Sequence, residues 1–88
     1  MAQRVVSIGS RSGLHARPVA TFVQAASQAS VPVTIAIEGK PPVAADSVLG
    51  VMTLAARHGD RVTLTAEGEQ AEAVLDELAD LLSKELDA

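Results

Sequence analysis

Cysteine, tryptophan and tyrosine are all absent from this 88-residue chain, and Phe22 is its one aromatic side chain. Without cysteine there is neither a disulfide framework nor a thiolate metal site, which fits a reducing cytoplasm. With one aromatic residue, the core has to be built from Val, Leu, Ile and Ala. Positive charge is also scarce: seven Lys and Arg against eleven Asp and Glu give a net charge of −4. The basic residues are mostly separated and no stacking aromatics accompany them, so general nucleic-acid binding is excluded from the expected functions. No apolar run approaches the roughly 20 residues of a membrane span. The N-terminus lacks a basic region followed by a long apolar run, so no signal peptide is expected. These absences point to a cytoplasmic location without membrane insertion.

What is present is enough for a small core. The chain is 48% hydrophobic, and a domain of this length buries roughly 60–65% of its unfolded surface. No internal repeat or interdomain linker interrupts residues 1–88, so a single domain is expected.

The order of elements reads β-α-β-β-α-β-α. Arg4 to Ile8 alternates, with Val6 and Ile8 on one side and Val5 and Ser7 on the other, predicting a first strand. Gly9-Ser10-Arg11-Ser12-Gly13 is a loop of turn formers. It lacks the spacing and the lysine of a nucleotide-binding P-loop. A helix from Ala16 to about Gln28 follows, with Val19, Phe22, Val23 and Ala26 on its buried face and Ala20, Thr21, Gln24 and Ser27 on the others. Val31 to Ile37 is the clearest strand. Val33, Ile35 and Ile37 point one way, and Pro32 marks either a sheet edge or a strand beginning. Glu38-Gly39-Lys40 is a turn, and Pro41-Pro42-Val43-Ala44 allows only a short strand because two prolines cannot donate to a ladder.

Asp46 and Ser47 are both candidate N-caps for a short helix through about Ala55. Its apolar residues, Val48, Leu49, Val51, Met52, Leu54 and Ala55, cover too much of the circumference for one buried face. Some should be exposed, and an exposed apolar patch often marks a partner surface. His58-Gly59-Asp60 is a turn, with His58 read as a helix C-terminal cap residue. Arg61 to Thr65 is a strand with Val62 and Leu64 inward. A last helix runs from about Gln70 to Leu86 on a stripe of Val74, Leu75, Leu78, Leu81, Leu82 and Leu86. Three helices over a four-stranded antiparallel sheet with one face to cover predict an α+β, open-faced β-sandwich.

Chemistry concentrates at Gly13-Leu14-His15-Ala16-Arg17-Pro18. Pro18 fits the first turn of a helix, where a missing N–H costs little. His15 then lies at or next to the N-cap, beside N–H groups with no partner in the helix. Those groups and the helix dipole favour an anion, phosphate above all, and Arg17 adds a permanent positive charge. Both cationic influences favour the neutral, nucleophilic imidazole. Once phosphorylated, His15 would present its phosphoryl oxygens to the Ala16 and Arg17 N–H groups and to the Arg17 guanidinium.

The hexapeptide resembles the active-site signature of HPr, the histidine-containing phosphocarrier family of the phosphoenolpyruvate:sugar phosphotransferase system. Ser47-Val48-Leu49-Gly50-Val51-Met52 resembles that family's second segment, and the likeness covers essentially the whole chain. The resemblance implies that His15 accepts a phosphoryl group on Nδ1 from phosphorylated enzyme I and passes it to IIA components of sugar permeases. Arg17 would guide the group rather than accept it. No cofactor is implied, and the protein would be a monomeric transfer partner rather than an independent enzyme. Ser47 matches a regulatory phosphosite used by an HPr kinase in some bacteria. Asp46 stands where kinase-regulated members carry lysine, however, and an adjacent acid repels an incoming phosphate. Transcriptional regulators are further candidate partners. The surface they would share joins Ala20, Thr21 and Gln24 to Val48, Leu49 and Met52, core packing being the other reading of Val48 and Leu49.

Two alternatives stand beside a sugar-uptake carrier. One is an HPr-like regulatory binding module; the other is a carrier in a regulatory phosphorelay that never feeds sugar uptake. His15 with Arg17 favours a carrier, since binding alone needs no nucleophile. Two histidines far apart, without cysteine, do not make a metal site.

Overall fold

The computed structural model describes residues 2–9, 16–29 and 31–83, with the backbone alone for residues 16–18. Seven elements follow in the expected order: β1 (Ala2–Ser7), α1 (Ala16–Ser27), β2 (Val33–Ile37), β3 (Val43–Ala44), α2 (Val48–Thr53), β4 (Arg61–Ala66) and α3 (Ala71–Ser83). The strands form one sheet in the order β1-β4-β2-β3, and every neighbouring pair is antiparallel.

Alternation along the strands assigns the two faces of this sheet. In β4, Val62, Leu64 and Ala66 are buried, while Thr63 and Thr65 are half-buried on the other side. Register carries the pattern across: Leu64 lies opposite Arg4 on one side and Ile35 on the other. The face with Val62, Leu64, Val33 and Ile35 meets the helices, and these residues join Ile8, Phe22, Leu75, Leu78 and Leu82 in the core. The opposite face presents Gln3, Val5, Thr34, Thr63 and Thr65, with the exposed Arg61 at the start of β4, and Val5 is 65% exposed. One covered face and one open face are what antiparallel sheets permit.

The long helices follow their stripes. On α1, Val19 and Phe22 are fully buried and Val23 and Ala26 nearly so, whereas Ala20, Thr21, Gln24 and Ser27 are exposed. On α3, Ala71, Leu75, Leu78 and Leu82 are buried and Val74 and Leu81 half-buried. Leu86, expected to complete that stripe, lies outside the described residues.

Several boundaries move. β1 starts at Ala2, two residues before the expected Arg4, because β4 is long enough to pair Ala2 with Ala66. β2 starts at Val33, just after Pro32, and has strands on both sides. Of the two readings of Pro32, a strand beginning is the one realised. α2 ends at Thr53, before the expected Ala55, because Ala55 takes a left-handed backbone (φ 52°). His58 is therefore not a helix cap. It is exposed in a turn closed by the Asp60 N–H on the Arg57 carbonyl and the Arg57 N–H on Asp60 Oδ2, both at 2.9 Å.

Candidate functional site

α1 begins at Ala16, so the backbone N–H groups of Ala16 and Arg17 fall in its first turn, where helix geometry provides no acceptor. No acidic residue lies in that turn to neutralise the positive end of the dipole. Pro18 is within the helix as expected. His15, the residue before Ala16 in the chain, lies outside the described residues, as does the Arg17 side chain. The chain enters the connecting segment from a fixed point. The Ile8 N–H donates to the Asp60 carbonyl, the Gly59 N–H to the Ile8 carbonyl and the Gly9 N–H to the Leu82 carbonyl, each at 2.9 Å. The start of the segment is thus tied to the turn before β4 and to the end of α3.

α2 packs against α1. Ser47, extended at φ −107° and ψ 113°, is its N-cap, and its Oγ accepts from the Gly50 N–H at 3.1 Å. Of the two cap candidates Ser47 fills the role, and Asp46 is exposed. Val51 and Leu54 turn into the core, whereas Val48 (45%), Leu49 (78%) and Met52 (41%) are exposed. That settles the choice for Val48 and Leu49: neither is core. All six residues expected to form a shared surface are exposed, and none carries a charge. Among the described residues, no group of three or more His, Cys, Asp or Glu is placed to hold a metal ion.

Two side chains do more than the sequence indicated. Arg4, read only as a strand residue, donates from Nε to Asp76 Oδ1 at 2.8 Å and from Nη2 to Glu72 Oε1 at 3.3 Å. The bond to Asp76 first, and to Glu72 second, holds its guanidinium pKa above the ordinary value. Glu72 and Asp76 are one helical turn apart on α3, a spacing that was readable; their partner in β1, some 70 residues away, was not. Lys40, read as a turn residue, reaches the end of α2: its Nζ donates to the carbonyls of Thr53 at 3.0 Å and Leu54 at 3.2 Å. No local pattern marks that contact.

With this geometry in place, comparison with known proteins decides the family. Residues 2–84 match the family model for the phosphotransferase-system HPr component phosphorylation site. The chain belongs to the HPr family. The phosphocarrier protein HPr of Streptomyces coelicolor is 46% identical over 87 residues, covering 99% of this chain and 94% of the relative. The HPr-like protein Crh of Bacillus subtilis is 40% identical over 86 residues, 98% of this chain and 100% of the relative. Among solved structures, HPr from Bacillus anthracis superposes with a TM-score of 0.86 at 40% identity, covering 92% of this chain and 95% of that one. HPr here denotes the phosphocarrier family of the phosphotransferase system, and the open-faced sandwich described above is its fold. No helix among the described residues is long and apolar enough to cross a membrane.

Proposed function

We propose that this chain, as one HPr-like domain, carries a phosphoryl group on His15, accepting it from phosphorylated enzyme I and delivering it to IIA components of sugar permeases. The observation that supports this most is the helix start at Ala16 directly after His15 in the family's signature hexapeptide, within a chain 46% identical to a phosphocarrier protein over 87 residues. In the transfer, imidazole Nδ1 attacks phosphorus, the bond from phosphorus to the donor breaks as the N–P bond forms, and the phosphoryl group brings its negative charge to the first turn of α1. The Ala16 and Arg17 N–H groups bind the phosphoryl oxygens and the Arg17 guanidinium screens them. A helix N-terminus contributes about 0.3–1 kcal/mol to such an anion, ~2 when partly buried. That scale holds the group during diffusion and still lets the next acceptor take it.

The partners meet the uncharged surface of Ala20, Thr21, Gln24, Val48, Leu49 and Met52, with the protein acting as a cytoplasmic monomer. Crh from Bacillus subtilis, whose crystal structure is a swapped dimer with a TM-score of 0.74 to this chain at 40% identity, is the counterexample to weigh. A molar mass in solution of one chain supports the monomer; twice that mass rejects it. Ser47 is the candidate second phosphosite. Incubation with an HPr kinase and ATP, read by mass spectrometry, tests it, and an unlabelled Ser47 leaves it as a helix cap alone.

The similarity to Crh gives the regulatory alternative its specific support. Onward transfer separates the two: the labelled protein loses its phosphoryl group to IIA components if it serves sugar uptake and retains it if it serves a regulatory relay. Arg17→Ala should slow transfer with the fold intact, and unchanged rates would remove Arg17 from the mechanism.

A further inference from the structure

A six-residue helix cannot hold itself. Isolated helices shorter than about 12–15 residues are marginal even with favourable sequences, and each helix end leaves backbone groups without partners. For the C-terminal end of α2 the carbonyls can be followed one by one. Gly50 O accepts from Thr53 Oγ1 at 2.6 Å, Val51 O from the Leu54 N–H and Met52 O from the Ala55 N–H, both at 3.1 Å. The first donor is a side-chain hydroxyl, and the other two are the amides just after the helix, tightened into i to i−3 bonds. The next two carbonyls, Thr53 and Leu54, are met by one group from elsewhere in the chain, the Lys40 ammonium at 3.0 and 3.2 Å. Immediately beyond them Ala55 is at φ 52°, a conformation that costs a residue with a Cβ roughly 1–2 kcal/mol. The end of α2 thus combines a strained residue with two carbonyls that accept from a donor outside the helix.

The position of Lys40 gives that donor leverage. It closes the turn after β2: its N–H donates to the Ile37 carbonyl at 3.1 Å, with Gly39 at φ 87°. Pro41 and Pro42 then stiffen the chain into β3. Val43 of β3 packs so closely beneath α2 that a Cβ on Gly50 would lie 3.3 Å from Val43 Cβ and 3.1 Å from Ser47 Oγ. The β2–β3 connection therefore touches α2 at its middle through Val43 and at its C-terminus through Lys40, while Ser47 caps its N-terminus.

We propose that Lys40 is a positioning residue that fixes the pose of α2 against the sheet, so that Val48, Leu49 and Met52 are presented to phosphoryl-transfer partners in one orientation. This rests on the reading of α2 as part of the partner surface. Lys40 touches neither the phosphoryl group nor, in this proposal, the partner. It acts through the two carbonyls.

The test uses Lys40→Met, which keeps the stem and removes the charge and donors, and Lys40→Arg, which restores both. Two readouts are taken on the whole protein, well below its melting temperature. Amide exchange at Leu54 and Ala55 should accelerate about two- to fivefold in Lys40→Met, the factor that corresponds to one exposed cation at a helix C-terminus, while exchange at Ile35 and Leu64 in the sheet stays unchanged. The KM for the protein in phosphoryl transfer from enzyme I should rise severalfold with kcat unchanged. Lys40→Arg should recover most of both. Unchanged exchange at Leu54 and Ala55 overturns the clamp. Leu49→Gln, measured alongside, separates the two ideas. If Leu49→Gln raises KM and Lys40→Met does not, the positioning role fails and the partner surface stands. If neither raises KM, the partner-surface reading itself has failed and the proposal falls with it.

Discussion

α1 and α2 each lend three residues to the proposed contact surface, and the fold holds them by different means. α1 spans 12 residues, and its orientation follows from its own burial, with Val19 and Phe22 fully enclosed. α2 spans six residues and buries Val51, with Leu54 at its cap. It turns much of its apolar surface outward, so burial alone does not orient it. Attachments do: the Ser47 cap, Val43 against Gly50 and Lys40 on the last carbonyls. A helix fixed by its core resists change at its surface. A helix fixed by a few polar contacts can expose apolar residues to partners, and its stability is exposed to single substitutions at those contacts.

That contrast can be broken at several points. Phe22→Ala should have the largest effect on stability, a loss of about 3–5 kcal/mol, read as a lower urea midpoint. A loss near 1 kcal/mol would show that α1 is not held by its buried face. Ser47→Ala should cost about 1 kcal/mol, and Ser47→Asp only a few tenths, because Asp also caps. Equal losses in the two variants would deny the cap its role. Ala55→Gly should raise stability, by about 0.5–1 kcal/mol, since glycine accepts a left-handed backbone without the Cβ clash. A decrease would mean that the Ala55 methyl makes a contact worth more than the strain it causes. Leu49→Gln should leave stability within about 0.5 kcal/mol, as surface substitutions do, while weakening transfer from enzyme I. A large loss of stability would place Leu49 in the core after all.

Much of the fold was legible because periodicity reports burial directly. The stripe of Val19, Phe22, Val23 and Ala26 and the alternation of Val33, Ile35 and Ile37 each named the face that is buried. Even the exposed apolar residues of α2 followed from counting, since six apolar side chains cannot share one side of a short helix. What escaped were contacts between residues distant in the chain. The strand order, the bridge from Arg4 to Glu72 and Asp76, and the reach of Lys40 to Thr53 and Leu54 depend on how separate elements come together, and no local pattern encodes that. The end of α2 escaped for another reason. Leu54-Ala55-Ala56 reads as good helix, and only the packed structure turns Ala55 left-handed, which moves the helix end away from His58. At the candidate site, the helix start at Ala16 was legible from proline placement and the cap of α2 was narrowed to Asp46 or Ser47, between which only the bond from the Gly50 N–H to Ser47 Oγ decides, whereas the role of His15 came from the hexapeptide as a family signature.

The most direct measurement is the intact mass of the protein after incubation with enzyme I, magnesium and phosphoenolpyruvate, compared with His15→Ala. The expected result is a gain of one phosphoryl group, labile to acid and absent from the variant. Equal labelling of both proteins, or none on the folded wild type with an active enzyme I from the same cell, would contradict it.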